Sequence, residues 1–229
     1  MSERDNILAR IREGLKAQSP TAGAHPVHPP VSGPGRNGSL KAWLPAVGTS
    51  FQERIDLFQK NALALKTEFA VVKGPGELKA ALVEMRDSLG WKKIATHDSE
   101  LTTPMCTTLA LPVLRTDQPY DAAELEQCDV GISGCDALIA QTGSVLVTNQ
   151  SAGGRALSAL PPHHVVIARA DQLIADLPDA FELLRKDYQN DWPSFISFIT
   201  GPSRTGDIER ILVLGAHGPK RLTIFLLAG

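Results

Sequence analysis

The chain has 229 residues, of which 43% are hydrophobic and 21% are charged, and its formal net charge is −2. This length can bury a sizeable core in one large domain or two small ones, and the composition is ordinary for a soluble globular protein. The near-neutral charge excludes a general basic face for nucleic acid. No apolar run approaches the roughly 18 residues of a membrane span, and the polar start is not that of a signal peptide. We therefore expect a cytoplasmic protein.

The first 50 residues divide into a predicted helix and a predicted linker. Residues 1–16 predict an amphipathic helix, whose apolar positions at helical spacing are Ile7, Leu8, Ile11 and Leu15. Residues 17–50 are rich in Pro, Gly and Ser, a composition that buries too little apolar surface to offset its ordering entropy. His25 and His28 lie in this segment without another ligand nearby, so we assign them no metal.

From residue 51 onward, predicted helices alternate with predicted strands. A helix beginning near Phe51 precedes a strand at 69–73, and Gly74-Pro75 opens a second helix that ends at Gly90. The next strand lies at 92–97. This strand–helix–strand unit predicts parallel pairing of its two strands with a right-handed crossover.

The rest of the chain is richer in predicted strands. Leu173–Tyr188 is predicted as a helix that Pro178 divides. Short helices are predicted at 101–109 and 121–127, and further strands at 111–114, 129–133, 136–140, 143–149, 165–169, 195–200, 211–215 and 221–229. This pattern predicts one α/β domain over residues 51–229, with a mostly parallel sheet and a β-rich C-terminal half.

The cysteines and the short motifs indicate no cofactor in this chain. Cys106, Cys128 and Cys135 form no CxxC pair, whereas an iron–sulfur cluster usually takes four thiolates. We expect them to be buried and reduced. The sequence has no P-loop, no HExxH zinc motif and no G-x-S-x-G elbow, and it offers no motif for flavin or nicotinamide.

Three polar loops follow predicted strands, where ligands of open α/β sheets bind. In the first loop, Gly153 and Gly154 free backbone N–H groups to approach a ligand, and Arg155 can grip a carboxylate or phosphate. The alternative is a flexible connection with a surface arginine. We interpret the stretches Val130–His164 and Gly201–Pro219 as facing walls of one pocket.

The second and third loops supply hydroxyls, cations and a histidine. Asp207 or Ser203 could equally cap the element that follows the second loop. His217, in a Gly-Pro turn, is a candidate general acid or base or a structural hydrogen-bonding group. The candidates are Ser203, Arg204, Thr205, Asp207 and His217.

Five more polar residues lie in or beside predicted strands. Asp136 enters a strand, where carboxylates are disfavoured, and the turn after that strand begins with Gln141 and Thr142. We include these three in the ligand-binding set. Of His163 and His164, strand alternation predicts that one points inward as a satisfied buried histidine.

Three stretches resemble the lactate-utilization protein C family (LutC/YkgG-like, with the LUD domain). They are DVGISGCDALIAQTGSVLV, GRALSALPPHHVVIAR and SFITGPSRTGDIERILVLGAHGPKRLTIFLL, and the resemblance covers roughly residues 51–229. It implies a Rossmann-like fold similar to the NagB/RpiA/CoA-transferase group. It also implies a cluster-free component of a three-part system that oxidises L-lactate to pyruvate, with iron–sulfur clusters in the partner subunits.

One residue departs from the family pattern. Where the family commonly has Ala-Glu-Thr-Gly, this chain has Gln141 before Thr142-Gly143. Glutamine still forms hydrogen bonds but cannot take up a proton at neutral pH. We expect Gln141→Glu to leave folding and complex formation intact.

Three functional hypotheses follow. The first is an accessory subunit of an L-lactate oxidation system that binds iron–sulfur partners and a small carboxylate or phosphate. The second is a free-standing CoA-transferase-like or cyclo-ligase-like enzyme that acts on an acyl or phosphate-bearing small molecule, because one fold hosts unrelated activities. The third is an interaction module whose pocket has no ligand.

Overall fold

A computed structural model of the chain describes residues 3–14, 46–208, 211–215 and 217–228. The chain divides into two units, Met1–Trp43 and Leu44–Gly229. The first unit contains helix α1 (Glu3–Gly14). Most of the linker expected over residues 17–50, with its two histidines, lies outside the described residues.

The second unit contains a six-stranded sheet in which every pairing is parallel. Its strands are β1 (Glu68–Val72), β2 (Ile94–Thr96), β3 (Val113–Arg115), β4 (Val130–Ser133), β7 (His163–Arg169) and β12 (Arg221–Leu227). They lie in the order β1-β12-β7-β4-β2-β3. The predicted α/β class with a mostly parallel sheet is confirmed.

The helices of this unit begin and end where local chemistry predicts. They are α2 (Phe51–Ala64), α3 (Pro75–Leu89), α4 (Thr103–Thr108), α5 (Ala122–Glu126) and α6 (Leu177–Tyr188). A capping box between Ser50 and Glu53 opens α2, and Gly90 ends α3 in the left-handed conformation at φ +67°. None of the described helices is long and apolar enough to cross a membrane.

The predicted pairing of β1 with β2 is wrong. Both strands belong to the same sheet, but β12, β7 and β4 lie between them. The physical reason is burial. Six of the seven residues of β12 are buried, whereas β1 has only one buried residue and forms an edge. A strand that is apolar on both faces takes an interior position in a parallel sheet.

The remaining strands form two smaller sheets. A mixed four-stranded sheet has the order β8-β5-β6-β9, and β10 pairs with β11 as an antiparallel hairpin. Their bounds are β5 (Ala137–Ile139), β6 (Ser144–Thr148), β8 (Leu173–Ile174), β9 (Ile196–Ile199), β10 (Arg204–Ile208) and β11 (Ile211–Leu214). The β-rich second half is confirmed, although its strands are distributed over three sheets.

Pro178 begins a helix rather than dividing one, which corrects the prediction for this segment. Asp176 accepts the backbone N–H of Asp179 at 3.0 Å, so α6 begins at Leu177 with Pro178 in its first turn. Proline is tolerated there because the first N–H groups of a helix have no intrahelical partner. The preceding residues Leu173–Ile174 form β8.

Different elements cover the two faces of the six-stranded sheet. Helix α2 and the four-stranded sheet pack on one face, in a core that includes Phe58, Leu138, Val145, Val166 and Ile224. Helices α3 and α4 pack on the other face, in a core that includes Leu78, Leu82, Met105, Ile132 and Ile167. The sheet is therefore the middle layer, and polar side chains reach solvent mainly at its edges.

The strand order places a topological switch point between β2 and β4. From β2 onward the order is β3-β2-β4-β7-β12, which is flavodoxin-like, with β1 added at one end. Ligands of such sheets bind outside the carboxyl ends of the strands at the switch point. The residues that follow Thr96 and Ser133 are therefore the first candidates for a site.

Candidate functional site

His97 follows β2 directly, at the carboxyl edge of the sheet. It is 6% exposed, and its Nδ1 is buried without a hydrogen-bond partner among the described residues. Burial lowers the pKa of His97 below its ordinary value, and Asp117 opposes this shift. The ring is therefore neutral near pH 7, with one nitrogen able to donate and the other able to accept.

The backbone of Gly153 packs directly on the His97 ring. A Cβ added at Gly153 would lie 2.3 Å from His97 Cβ, and the residue has φ +62°, so both space and conformation require glycine. Its carbonyl accepts the Thr116 hydroxyl at 2.6 Å. Gly154, at φ +106°, has open space where a Cβ would lie. A ligand could approach the backbone at Gly154 beside the histidine.

Asp136 holds this glycine loop in place. Its carboxylate accepts hydroxyls from Ser151 in the loop, from Tyr188 at the end of α6 and, at 3.5 Å, from Thr148. Burial, together with the hydrogen bond to Asp136, raises the pKa of Tyr188 to about 12. All three hydroxyls are directed at one carboxylate, which identifies Asp136 as a positioning residue for the loop.

Arg155 follows the glycines, but its side chain forms a hydrogen bond outside the loop. Its side chain is exposed, and Nη2 donates to the Ser194 carbonyl at 2.9 Å, just before β9. The structure therefore brings together Asp136, Gly153 and Gly154, whereas the exposed side chain of Arg155 contacts Ser194.

The Gln141–Gly143 turn lies at the other end of the β5–β6 hairpin, against the end of α2. Asn61 Nδ2 donates to the carbonyls of Ala140 and Gln141, both at 2.9 Å. Gly143 has φ +66°, and a Cβ there would lie 2.9 Å from the Ala62 nitrogen. The length of the hairpin separates Gln141 and Thr142 from Asp136.

The second stretch packs near the same end of α2. Arg204 Nη2 donates to the Leu65 carbonyl at 3.0 Å, and Ser203 N donates to the Pro219 carbonyl at 2.8 Å. The loop expected through residue 207 is a strand from Arg204 onward, because β10 pairs with β11. The side chains of Thr205 and Asp207 lie outside the described part of the chain.

The interpretation of the two stretches as facing walls of one pocket stays a prediction, since part of the second stretch lies outside the described residues. His217 is exposed in the turn before Arg221, where β12 begins, so it lies at the amino edge of the sheet. His97 and the glycine loop lie at the carboxyl edge. The residue after the second stretch contacts the first, since Lys220 N donates to the Pro162 carbonyl at 2.8 Å.

His163 and His164 are both buried, whereas one was expected inside. They begin β7 and project to opposite faces, and because both faces are covered they are 3% and 0% exposed. Burial lowers the pKa of His163 to about 4 and that of His164 to about 3. His164 Nε2 lies 2.8 Å from the Ser133 hydroxyl, which itself donates to the Gly134 carbonyl.

The three cysteines are all free and buried. Burial raises the pKa of Cys106 to about 11 and also raises the pKa values of Cys128 and Cys135. Thiolates are the metal-binding form, so these are poor ligands. Within the described residues, no group of three or more His, Cys, Asp or Glu side chains could hold a metal ion.

Sequence reasoning missed several polar residues that the fold brings together. His97 carried a usable signal, since it is the polar residue that ends a strand candidate. Glu68 and Thr223 carried no sequence signal. Their hydrogen bond joins residues 155 positions apart and depends on β1 pairing with β12.

The LUD domain family model matches residues 92–227, which include the switch point and both edges of the sheet. The chain belongs to the LUD domain family. The Lactate utilization protein C of Shouchella clausii is 31% identical over 181 residues, covering 74% of this LUD chain and 77% of that protein. The Uncharacterized protein NMB1437 of Neisseria meningitidis is 27% identical over 232 residues, covering 99% of this chain and 94% of that protein.

Two further comparisons concern Deinococcus radiodurans. Its Lactate utilization protein C is 32% identical over 121 residues, which are 52% of this LUD chain and only 56% of that protein. A crystal structure of a DUF162 family protein from the same organism has a TM-score of 0.61 and covers 79% of this chain and 99% of that chain, at 23% identity. The likeness to that structure concerns the fold alone.

Proposed function

We propose that this LUD protein takes part in the oxidation of L-lactate to pyruvate, as an accessory subunit that carries no iron–sulfur cluster. The observation that carries the proposal is the 31% identity, over 74% of the chain, to a protein named Lactate utilization protein C. The proposed partners are iron–sulfur subunits of the same system, which would supply the redox chemistry.

The state of the cysteines supports a role without a cluster. A cluster usually requires four thiolates, and this chain has three cysteines in total. Cys106 and Cys135 are buried in apolar surroundings that oppose ionisation, and Cys128 lies in a different part of the core.

The proposed ligand site of this subunit is the switch point, and the proposed ligand is a small carboxylate. Neutral His97 offers a ring N–H donor, and the Gly153–Gly154 backbone lets a ligand approach closely. The charged groups nearby are already paired, since Asp98 and Asp117 engage Arg115 at 3.2 and 3.0 Å.

The first test is growth on L-lactate as sole carbon source after deletion of the encoding gene in the native organism. We expect loss of growth on L-lactate, unchanged growth on pyruvate, and rescue by the native gene. Rescue should fail with His97→Ala and succeed with the control Arg169→Gln, at an exposed arginine that ends β7. Full growth of the deletion strain on L-lactate would overturn the proposal.

A second test is affinity purification of the tagged chain from cells grown on L-lactate, with mass spectrometry of the bound proteins. We expect cysteine-rich iron–sulfur proteins to be recovered at low salt. Recovery of the chain alone, together with turnover of an acyl-CoA by the purified chain, would favour a free-standing enzyme instead.

A further inference from the structure

Strand β1 forms one edge of the large sheet, and its backbone bonds to β12 on the inner side only. The pairing is parallel, and the Ala228 N–H donates to the Val72 carbonyl at 2.9 Å. Hydrogen-bonding direction alternates along a strand, so Val72 and Ala70 both bond toward β12. The backbone N–H and C=O groups of Phe69 and Val71 therefore point outward, away from the sheet.

The two ends of this outer side are closed by bonds within the chain. The Thr67 N–H donates to the Ala62 carbonyl at 2.9 Å, and the Lys73 N–H donates to Glu77 Oε2 at 2.8 Å. Between these ends, the outward backbone groups have no hydrogen-bond partner among the described residues. The unpaired part of the edge therefore consists of two donors and two acceptors, and it is centred on Ala70.

The side chains around the middle of β1 leave this edge accessible on both faces. On the α2 face, Val71 is 39% exposed. On the α3 face, a cavity of about 300 Å³ lies between strand and helix, and its lining includes Ala70, Ala81 and Met85. Residues 69–72 contain neither a proline nor a charged side chain, the features that commonly protect an edge strand. The middle of β1 is therefore open to an added strand.

The length of the unpaired part indicates which strand fits. A long foreign strand would extend beyond Phe69 and Val71 to Thr67 and Lys73, whose N–H groups are already bonded. A second copy of β1 has an unpaired part of the same length. In antiparallel pairing about Ala70, Phe69 of one copy faces Val71 of the other, and every outward N–H meets a carbonyl. Two-fold symmetry makes the two halves of this contact identical.

The same register places unlike charges at the ends of the contact. Pairing about Ala70 sets the exposed Lys66 opposite Gly74 of the second copy. Helix α3 of that copy begins at the next residue and carries Glu77 in its first turn. Since Oε2 of Glu77 accepts the Lys73 N–H, Oε1 remains able to accept from a cation. Symmetry repeats this contact between Lys66 and Glu77 at the other end.

We propose that two copies of this chain associate through β1, in antiparallel register about Ala70, so that their six-stranded sheets become one continuous sheet. Strands β12 and β7 lie between β1 and the switch point, which therefore stays outside the contact. The inference concerns assembly of the purified chain and does not rest on the proposed function.

A disulfide at the symmetry axis tests the register directly in the full-length chain. In Ala70→Cys, the two cysteines would form a non-hydrogen-bonded pair with Cα atoms about 4.5 Å apart, which a disulfide can bridge. We expect mild oxidation to give a covalent dimer that thiol reverses. The matched control Val71→Cys should stay monomeric, because its two cysteines would be offset diagonally by about 7 Å or more. The native cysteines are buried, so the native chain is a second control.

Sedimentation equilibrium measures the association without a cross-link. The native chain should approach twice the mass of one chain at about 0.2 mM, as a micromolar dissociation constant requires. Val71→Pro removes an outward N–H but keeps the bonds to β12, since an edge strand tolerates proline on its outer side. We expect it to raise the dissociation constant at least about ten-fold, whereas Val71→Thr, which keeps the N–H, should stay within about three-fold. Circular dichroism and thermal unfolding check that both variants fold.

A charge reversal tests the ends of the contact. Lys66→Glu should weaken association about three-fold or more at low salt, because it faces Glu77 of the second copy, and less at high salt. Lys60→Glu makes the same charge change on the exposed face of α2 and should have no such effect.

A native chain that stays monomeric at every concentration would overturn the proposal. Equal cross-linking of Ala70→Cys and Val71→Cys would also overturn it, as would a dimer that Val71→Pro leaves intact. A further contrary result would be a monomeric chain whose Val71→Pro variant loses a protein that the native chain recovers in the affinity purification. In that case the outer side of β1 binds a strand of that protein instead of a second copy.

Discussion

At the carboxyl edge of the large sheet, polar side chains hold a loop, whereas at the amino edge they join three neighbouring strands. Asp136 receives three hydroxyls, and Gly153 is packed against His97, so the backbone there has a single arrangement. At the amino edge, contacts link Arg221 to Glu68, Glu68 to Thr223 and Thr223 to His163. The comparison teaches that hydrogen-bonded polar groups fix a loop at one edge and join neighbouring strands at the other, and at each edge a buried histidine nitrogen, on His97 or His163, has no partner among the described residues.

The largest expected effect is an acid transition that originates at the amino edge. The pKa values of His163 and His164, about 4 and about 3, lie below the ordinary value of 6.5. Their contribution to stability is therefore complete above pH 6.5 and is lost as pH falls toward 4. We expect urea unfolding to show a loss of about 3 kcal/mol or more between pH 7 and pH 5.

Variants of each histidine sharpen this prediction. His163→Phe and His164→Phe should each reduce the loss between pH 7 and pH 5 by about half, because each histidine contributes up to about 1.4 kcal/mol per pH unit. An unchanged acid transition in both variants would show that other groups dominate it.

The next effect concerns the carboxyl edge. Asp136→Ala would leave the hydroxyls of Ser151 and Tyr188 without their acceptor, and we expect a loss of about 2 to 3 kcal/mol in the free energy of unfolding. Asp136→Asn keeps one acceptor oxygen and should cost about 1 kcal/mol. Equal losses in the two variants would mean that charge, rather than hydrogen bonding, holds the loop.

A smaller effect is expected from the contact between Gly153 and His97. Gly153→Ala should destabilise the chain by about 1 to 2 kcal/mol, through the positive φ and the contact with the ring. Gly76→Ala is the control, since a Cβ there meets nothing within 4 Å and the residue lies in helix α3. Thermal unfolding of both variants tests this, and a Gly153→Ala protein as stable as Gly76→Ala would contradict the close packing.

The smallest effect concerns the surface ion pair of the amino edge. Arg221 and Glu68 are 42% and 51% exposed, so Arg221→Gln should change stability by less than about 1 kcal/mol. The difference between the native chain and this variant should shrink further in high salt. A loss of several kcal/mol would contradict the small contribution expected of an exposed ion pair.

Local sequence patterns predicted the individual elements well. The Gly74-Pro75 start of α3 and its stop at Gly90 were correct because helix ends depend on neighbouring residues alone. The segment around Pro178 was misread for a related reason. The capping role of Asp176 places proline in the first turn, and the preceding strand is stabilised by pairing with the distant β5.

The candidate site was predicted only in part. Candidate residues next to strands were found from the sequence, including Asp136 and Gly153. Which of these residues lie together in space was not predicted, because it depends on the end of the sheet at which each strand terminus lies. His217 and Gly153 both follow strand candidates, yet β6 and β11 belong to smaller sheets and bring these residues to opposite edges of the large one.

The sequence by itself determined the α/β class, most of the helices and strands, and the family, because periodicity, caps and family motifs are local. Only the tertiary structure decided the strand order, the switch point beside His97, and the chain of contacts from Arg221 to His163. Those features depend on contacts between residues far apart in sequence. Which strand lies at the centre is set by how much apolar surface each strand can bury on both faces at once.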